Sequence, residues 1–157
     1  MHASVNIVHT SFDLQGLVAV LSPNTHLAKI KGRIKRNYPI EVNGVTYIDV
    51  NEAFNSLFVG DKNKDILLMT DILIKKFDAY PILFDKVWEL GGIEWLATCR
   101  HIKNDQWKSC FWQGFGKESN YVNCLINAYQ ATDIAIAQYE KEDEGMSDPH
   151  FDRYEFH

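Results

Sequence analysis

Asn43-Gly44 is preceded by Ile40 and Val42 and followed by Val45 and Tyr47. Asn-Gly between alternating apolar residues is the strongest short-range signal for a two-residue hairpin, because both residues accept the positive φ that matches the strand twist. The period then changes at once. Val50, Ala53, Phe54, Leu57 and Phe58 fall at i, i+3, i+4, i+7 and i+8, and Asp49 is placed to cap the start of an amphipathic helix. A hairpin feeding a helix, in place of regular βαβ units, points to α+β architecture.

Upstream, Val5 and Ile7 and then Leu17 to Leu21 read as two short apolar strands, with turn chemistry from Ser11, Asp13 and Gly16 between them. Downstream, helices dominate. Gly60-Asp61 ends the first, Ile66 to Phe77 carries Met69, Leu73 and Phe77 along one side of the second, and Pro81 opens a third. That third helix shows an apolar stripe of Leu83, Phe84, Val87 and Trp88 and stops at Gly91-Gly92. Ile93 to Cys99 reads as a strand or a further helical turn, and Trp112 to Gly116 as a loop. Ser119 or Asn120 then caps a last helix to about Ala137 that buries Tyr121, Leu125, Ala128, Tyr129 and Thr132. The expected fold is α+β, a small antiparallel sheet with its hairpin packed against several helices.

A chain of 157 residues has the size of one domain and can bury a core without disulfide or metal staples. We place that domain over 1–138. The remainder, 139–157, holds four Glu and three Asp with little periodicity and is expected to be mobile or lightly packed. A net charge of -5 argues against a coat of basic residues for non-specific nucleic-acid binding. No run approaches the roughly 20 apolar residues of a membrane span, and MHASVNIVHTSFD has no basic region followed by an apolar stretch, so a cytoplasmic protein is expected. Cys99, Cys110 and Cys124 cannot all pair within the chain and fit free thiols. Oligomeric state leaves no trace in the sequence.

LAKIKGRIKR places Lys29, Lys31, Arg33, Lys35 and Arg36 within eight residues, a density able to hold phosphate oxygens through charge-assisted hydrogen bonds. A solvated strand or loop is the plainer reading of such a run. WQGFGKESN sets Trp112, Gly114, Gly116, Lys117, Ser119 and Asn120 at the start of the last helix, where backbone amides can receive an anion. It is neither a Walker loop nor a GxGxxG fingerprint, and an ordinary turn leading into a helix accounts for it equally well, so no cofactor is expected. Of Trp88, Trp95, Trp107 and Trp112, the last is the best placed to stack on a ligand, although packing is the commoner use of tryptophan. Cys99, His101 and Cys110 match no zinc spacing, so no metal is expected; Arg100 and His101 could instead line a pocket. Glu52 stands in a first helical turn, where an acid can simply complement the macrodipole for about 0.3–1 kcal/mol, or face a cleft.

In order along the chain, LSPNTHLAKIKG, YPIEVNGVTYIDVNEAF and WQGFGKESNYVNCLINAY resemble the NADAR or YbiA-like family. The matching stretches, about Leu21 to Phe54 and Trp112 to Tyr129, make up a third of the chain. The resemblance implies an α+β fold with a pocket for an ADP-ribosyl small molecule or other phosphorylated nucleotide. In active members it implies hydrolysis of the N-glycosidic bond to ADP-ribose. Glu52 then aligns with a helix-opening glutamate that would stabilise oxocarbenium charge and position water. Lys29, Lys31 or Arg33 would hold the diphosphate, Trp112 would flank the base, and Gly114 to Ser119 would shape the pocket. The family pattern continues Glu-His-x-x-Gln, whereas this chain has Ala53 at the His position and Ser56 at the Gln position. A non-catalytic nucleotide-binding module that senses or sequesters its ligand therefore stands beside the hydrolase reading.

Overall fold

The computed structural model describes residues 4–142. Asn43 and Gly44 both adopt positive φ, 52° and 82°, as the tight hairpin turn requires. They join β1 (Ile40–Val42) to β2 (Val45–Tyr47) in antiparallel register, Val42 opposite Val45 and Ile40 opposite Tyr47. Ile40 and Val42 turn into the core while Glu41 faces out, the two-residue alternation of a half-buried strand.

Before the hairpin the chain is helical. Leu17–Leu21 forms α1 and Thr25–Ile30 forms α2, which corrects the strand expected at Leu17 to Leu21 and the strand or loop expected across LAKIKG. Five consecutive apolar residues have no readable period, and here Val18, Ala19, Val20 and Leu21 are buried all round. The first expected strand survives as one bridge: Ile7 donates to the Arg100 carbonyl and Arg100 donates to the Val5 carbonyl.

After the hairpin come α3 (Val50–Leu57), α4 (Lys62–Ala79), α5 (Pro81–Leu90), α6 (Ile93–Thr98), β3 (Arg100–His101), β4 (Gly114–Phe115) and α7 (Asn120–Glu142). Within the stretch Ile93 to Cys99, Ile93–Thr98 is helix and Cys99 is extended, and the loop expected from Trp112 contains β4, which pairs antiparallel with β3. Asp61 ends the link after α3 by capping α4, its carboxylate accepting from the Lys64 amide. The Ser119 hydroxyl accepts from the Val122 amide and caps α7. α7 runs to Glu142, so Tyr139–Glu142 belong to the helix; the rest of the expected acidic tail lies outside the described residues.

α7 lies along α4 and α6, and the seam between them is the core. Phe84 stacks on Tyr129 with centroids 4.6 Å apart, and Phe77 meets both rings edge-on. Tyr121, Leu125, Ala128, Tyr129 and Thr132 are all buried, as the spacing predicts. Trp88, expected in the apolar stripe of α5, is not: it is 65% exposed in the last turn of that helix, although buried Phe84 lies four residues before it. Among the described residues no helix is long and apolar enough to cross a membrane.

Candidate functional site

Between the segment Arg33–Tyr38, the turn at Leu14–Leu17 and one face of α5 lies a cleft of about 800 Å³. That volume is within the usual ~300–1,000 Å³ of small-molecule sites. Leu17, Val20, Ile34, Leu83 and Leu90 supply its apolar floor, and Arg33, Lys35, Arg36 and Lys86 its cations. Glu89 also lines it, 3.7 Å from Lys86 in an exposed ion pair, so Lys86 is partly neutralised.

The two arginines are held differently. The Arg33 guanidinium lies 4.0 Å from the centroid of Phe12, while its Nε donates to the Thr10 carbonyl at 2.9 Å and an Nη donates to the Lys31 carbonyl at 2.7 Å. Arg36 packs over Tyr38 at 4.7 Å and Tyr80 at 5.3 Å, contacts that orient a guanidinium by its face. Tyr80 is itself fixed by donating to the Pro39 carbonyl, and burial pushes its phenol up while the Arg36 charge opposes this. One wall is strained: Leu14 and Gln15 occupy the left-handed region at φ 55° and 57°. Such residues cost on the order of 1–3 kcal/mol each and gather at ligand sites and switches.

A buried polar network lies beneath this floor. Lys76, 3% exposed, donates through Nζ to the Val20 and Ser22 carbonyls, and the Tyr121 hydroxyl donates to the Leu21 carbonyl at 2.7 Å. Three successive carbonyls at the end of α1 thus find donors on α4 and α7. Burial pushes the Lys76 ammonium down to about 7, with the Asp49 charge opposing it, and raises the Tyr121 phenol well above its ordinary value. Asp49, also buried, accepts from the Glu52 amide at 2.8 Å and the His26 amide at 3.2 Å. Asn51 donates to the Pro23 carbonyl, so the first turns of α2 and α3 meet over one carboxylate.

The expected site residues divide between three places. Arg33 is in the cleft; Lys29 and Lys31 are exposed on α2 and just after it. Glu52 is exposed on α3. Trp112 packs edge-on against Phe54 at 5.2 Å, and Phe54 lies two residues from Glu52, about 200° round the helix, so Glu52 and Trp112 serve different sides of α3. Trp112, Gly114, Gly116, Lys117, Ser119 and Asn120 form a self-bonded turn. The Ser119 hydroxyl donates to the Trp112 carbonyl, the Asn120 amide to the Phe111 carbonyl and the Asn123 amide to the Lys117 carbonyl. Gly116 donates its N–H to the Cys99 carbonyl at 2.7 Å. Gly114 borders a separate recess of about 240 Å³ with Cys110 and Phe111. His101 lies outside the cleft: it is buried against Tyr121, its Nδ1 is 2.7 Å from the Ile7 carbonyl, and burial pulls its pKa down to about 4.

Sequence reasoning missed Leu14, Gln15, Tyr38 and Lys86 as cleft residues and Lys76 as a buried one. The run Lys29–Arg36 was the available signal for Arg36; nothing local marks α5 as the facing wall. Compared with family models, curated proteins and solved structures, the chain finds no match.

Proposed function

We propose that this chain binds a phosphorylated nucleotide of the ADP-ribose class in the cleft bounded by Arg33, Arg36 and α5. The observation that carries this reading is the union of three cations from one short segment with an apolar floor and a strained wall. Phosphate oxygens satisfy guanidinium donors in the plane while a base or ribose covers the apolar floor. In a chain of net charge -5, a local cationic rim also steers an anion to one place. Calorimetry with ADP-ribose, NAD and AMP tests it. Arg36→Ala is expected to weaken binding about tenfold or more, the worth of one charged hydrogen bond. Equal affinity in the folded variant, or no heat with the wild type, overturns the reading.

A second reading, hydrolysis of the N-glycosidic bond to ADP-ribose, follows from the family resemblance. Asp49 ties the first turn of α3, which carries Glu52, to the first turn of α2 through the Glu52 and His26 amides, so on this reading Glu52 acts from outside the cleft. On this reading Glu52→Gln abolishes release of ADP-ribose from an ADP-ribosylated nucleobase or protein while leaving calorimetric affinity within about twofold, since a carboxamide keeps the shape and removes the charge. Release at the wild-type rate in that variant removes the hydrolase reading and leaves the binding one intact.

A further inference from the structure

His9 has both ring nitrogens shielded from solvent and without a hydrogen-bond partner. The residue as a whole is half-buried, and a hydrogen-bonding group brought to either nitrogen would offset a cost on the order of 1–3 kcal/mol. Its surroundings say of which sign. Arg33 bonds the Thr10 carbonyl next to His9 and the Lys31 carbonyl, which brings the segment 31–33 against the segment 9–10. From the other side, Asn6 exchanges hydrogen bonds with the Ile102 backbone, which places Lys103 beside the same turn. The charges that act on His9 are those of Lys31, Lys103 and Arg33; together with burial, the largest effect, they hold its pKa below the ordinary value.

We infer that His9, Lys31 and Lys103, with the Arg33 charge behind them, form a second oxyanion site that takes a phosphate group. A tetrahedral oxyanion accepts from one imidazole N–H and from both ammonium groups, and it supplies the counter-charge to the positive field that Lys31, Lys103 and Arg33 set up at His9. Lys31 and Lys103 are exposed on flexible stems that can turn aside to admit it. A cationic ligand is ruled out by the same charges, and an apolar one would leave both ring nitrogens unpaired. The phosphate can be a free ion or a phosphate of the nucleotide in the adjoining cleft, because Arg33 borders both places. The site stands independently of the cleft reading, since neither His9 nor Lys103 lines the cleft.

Ring resonances of His9 followed by NMR in the full chain test the proposal, with inorganic phosphate, ADP-ribose and, for ionic strength, sodium chloride as separate titrants. Phosphate, ADP-ribose or both are expected to give a saturable shift and to raise the apparent pKa of His9, because a bound anion reverses the sign of the field it feels. Saturation by phosphate alone assigns a free ion; saturation by ADP-ribose alone assigns the nucleotide's own phosphate. Lys103→Ala, a surface substitution, is expected to weaken the response about tenfold. Unmoved resonances with both phosphate titrants, an equal response to chloride, or an undiminished response in Lys103→Ala overturns the site. The Arg36→Ala calorimetry reports on the cleft alone, so either proposal can fail without the other.

Discussion

Lys76→Met is expected to destabilise the protein by about 3–5 kcal/mol, the usual result of removing one member of a buried charged network. Opposing effects contribute. Methionine fills the space of the lysine stem and removes the cost of burying an ammonium. Against that, the Val20 and Ser22 carbonyls lose their donor and buried Asp49 loses the cation that offsets it. Orphaned buried acceptors cost about 1–3 kcal/mol each, so the losses exceed the gain. For a domain of this size the midpoint of thermal unfolding should fall by roughly 10 °C.

The same residue sets a pH dependence. An unfolded lysine keeps its proton to about pH 10.4, whereas burial brings Lys76 down to about 7. Between those values the unfolded chain binds more protons than the native one, so this group makes stability rise as pH increases; below the native value both states are protonated and its slope vanishes. Urea unfolding followed by circular dichroism at about pH 6.5 and about pH 9 should show a rise in the wild type that Lys76→Met lacks. An identical pH response in both proteins would place the proton elsewhere.

Gly116→Ala should cost about 3 kcal/mol, for two reasons that a control can separate. Gly116 sits at φ +54°, and a Cβ there would lie 2.6 Å from the Ala97 carbonyl oxygen, a backbone atom that cannot swing away. Gly32 has φ +77° and nothing within 4 Å of the same imagined atom. Gly32→Ala therefore reports the left-handed backbone penalty alone, about 1 kcal/mol. Thermal midpoints of the two variants measure the difference. Equal losses would show that the turn gives way and that the close approach to α6 does not constrain it.

That result bears on how the Trp112–Asn120 stretch is read. From sequence its glycines fit a ligand loop, and in the structure Gly116 is required where the chain passes α6 and its N–H meets the Cys99 carbonyl. A glycine admits close approach of any group, and sequence does not say whether that group is a ligand or the chain itself. Trp112 shows the same ambiguity, since its ring is used on Phe54 and Phe111.

The hairpin at Asn43-Gly44, the capped start of α3 at Asp49, the proline start of α5 and the buried face of α7 were all readable, because each depends on residues within a few positions of one another. Turn conformation, capping and helical periodicity are short-range physics, and so is the density of positive charge from Lys29 to Arg36. Tertiary contacts decided the rest. Leu17–Leu21 became a helix whose terminal carbonyls are met by Lys76 and Tyr121, 56 and 100 residues from the groups they bond. The basic segment became one wall of a cleft only because α5 and the Leu14–Leu17 turn pack opposite it. Donors and walls of that kind come from distant parts of the chain, and hydrophobic burial, which has no direction of its own, brings them together without leaving a local pattern.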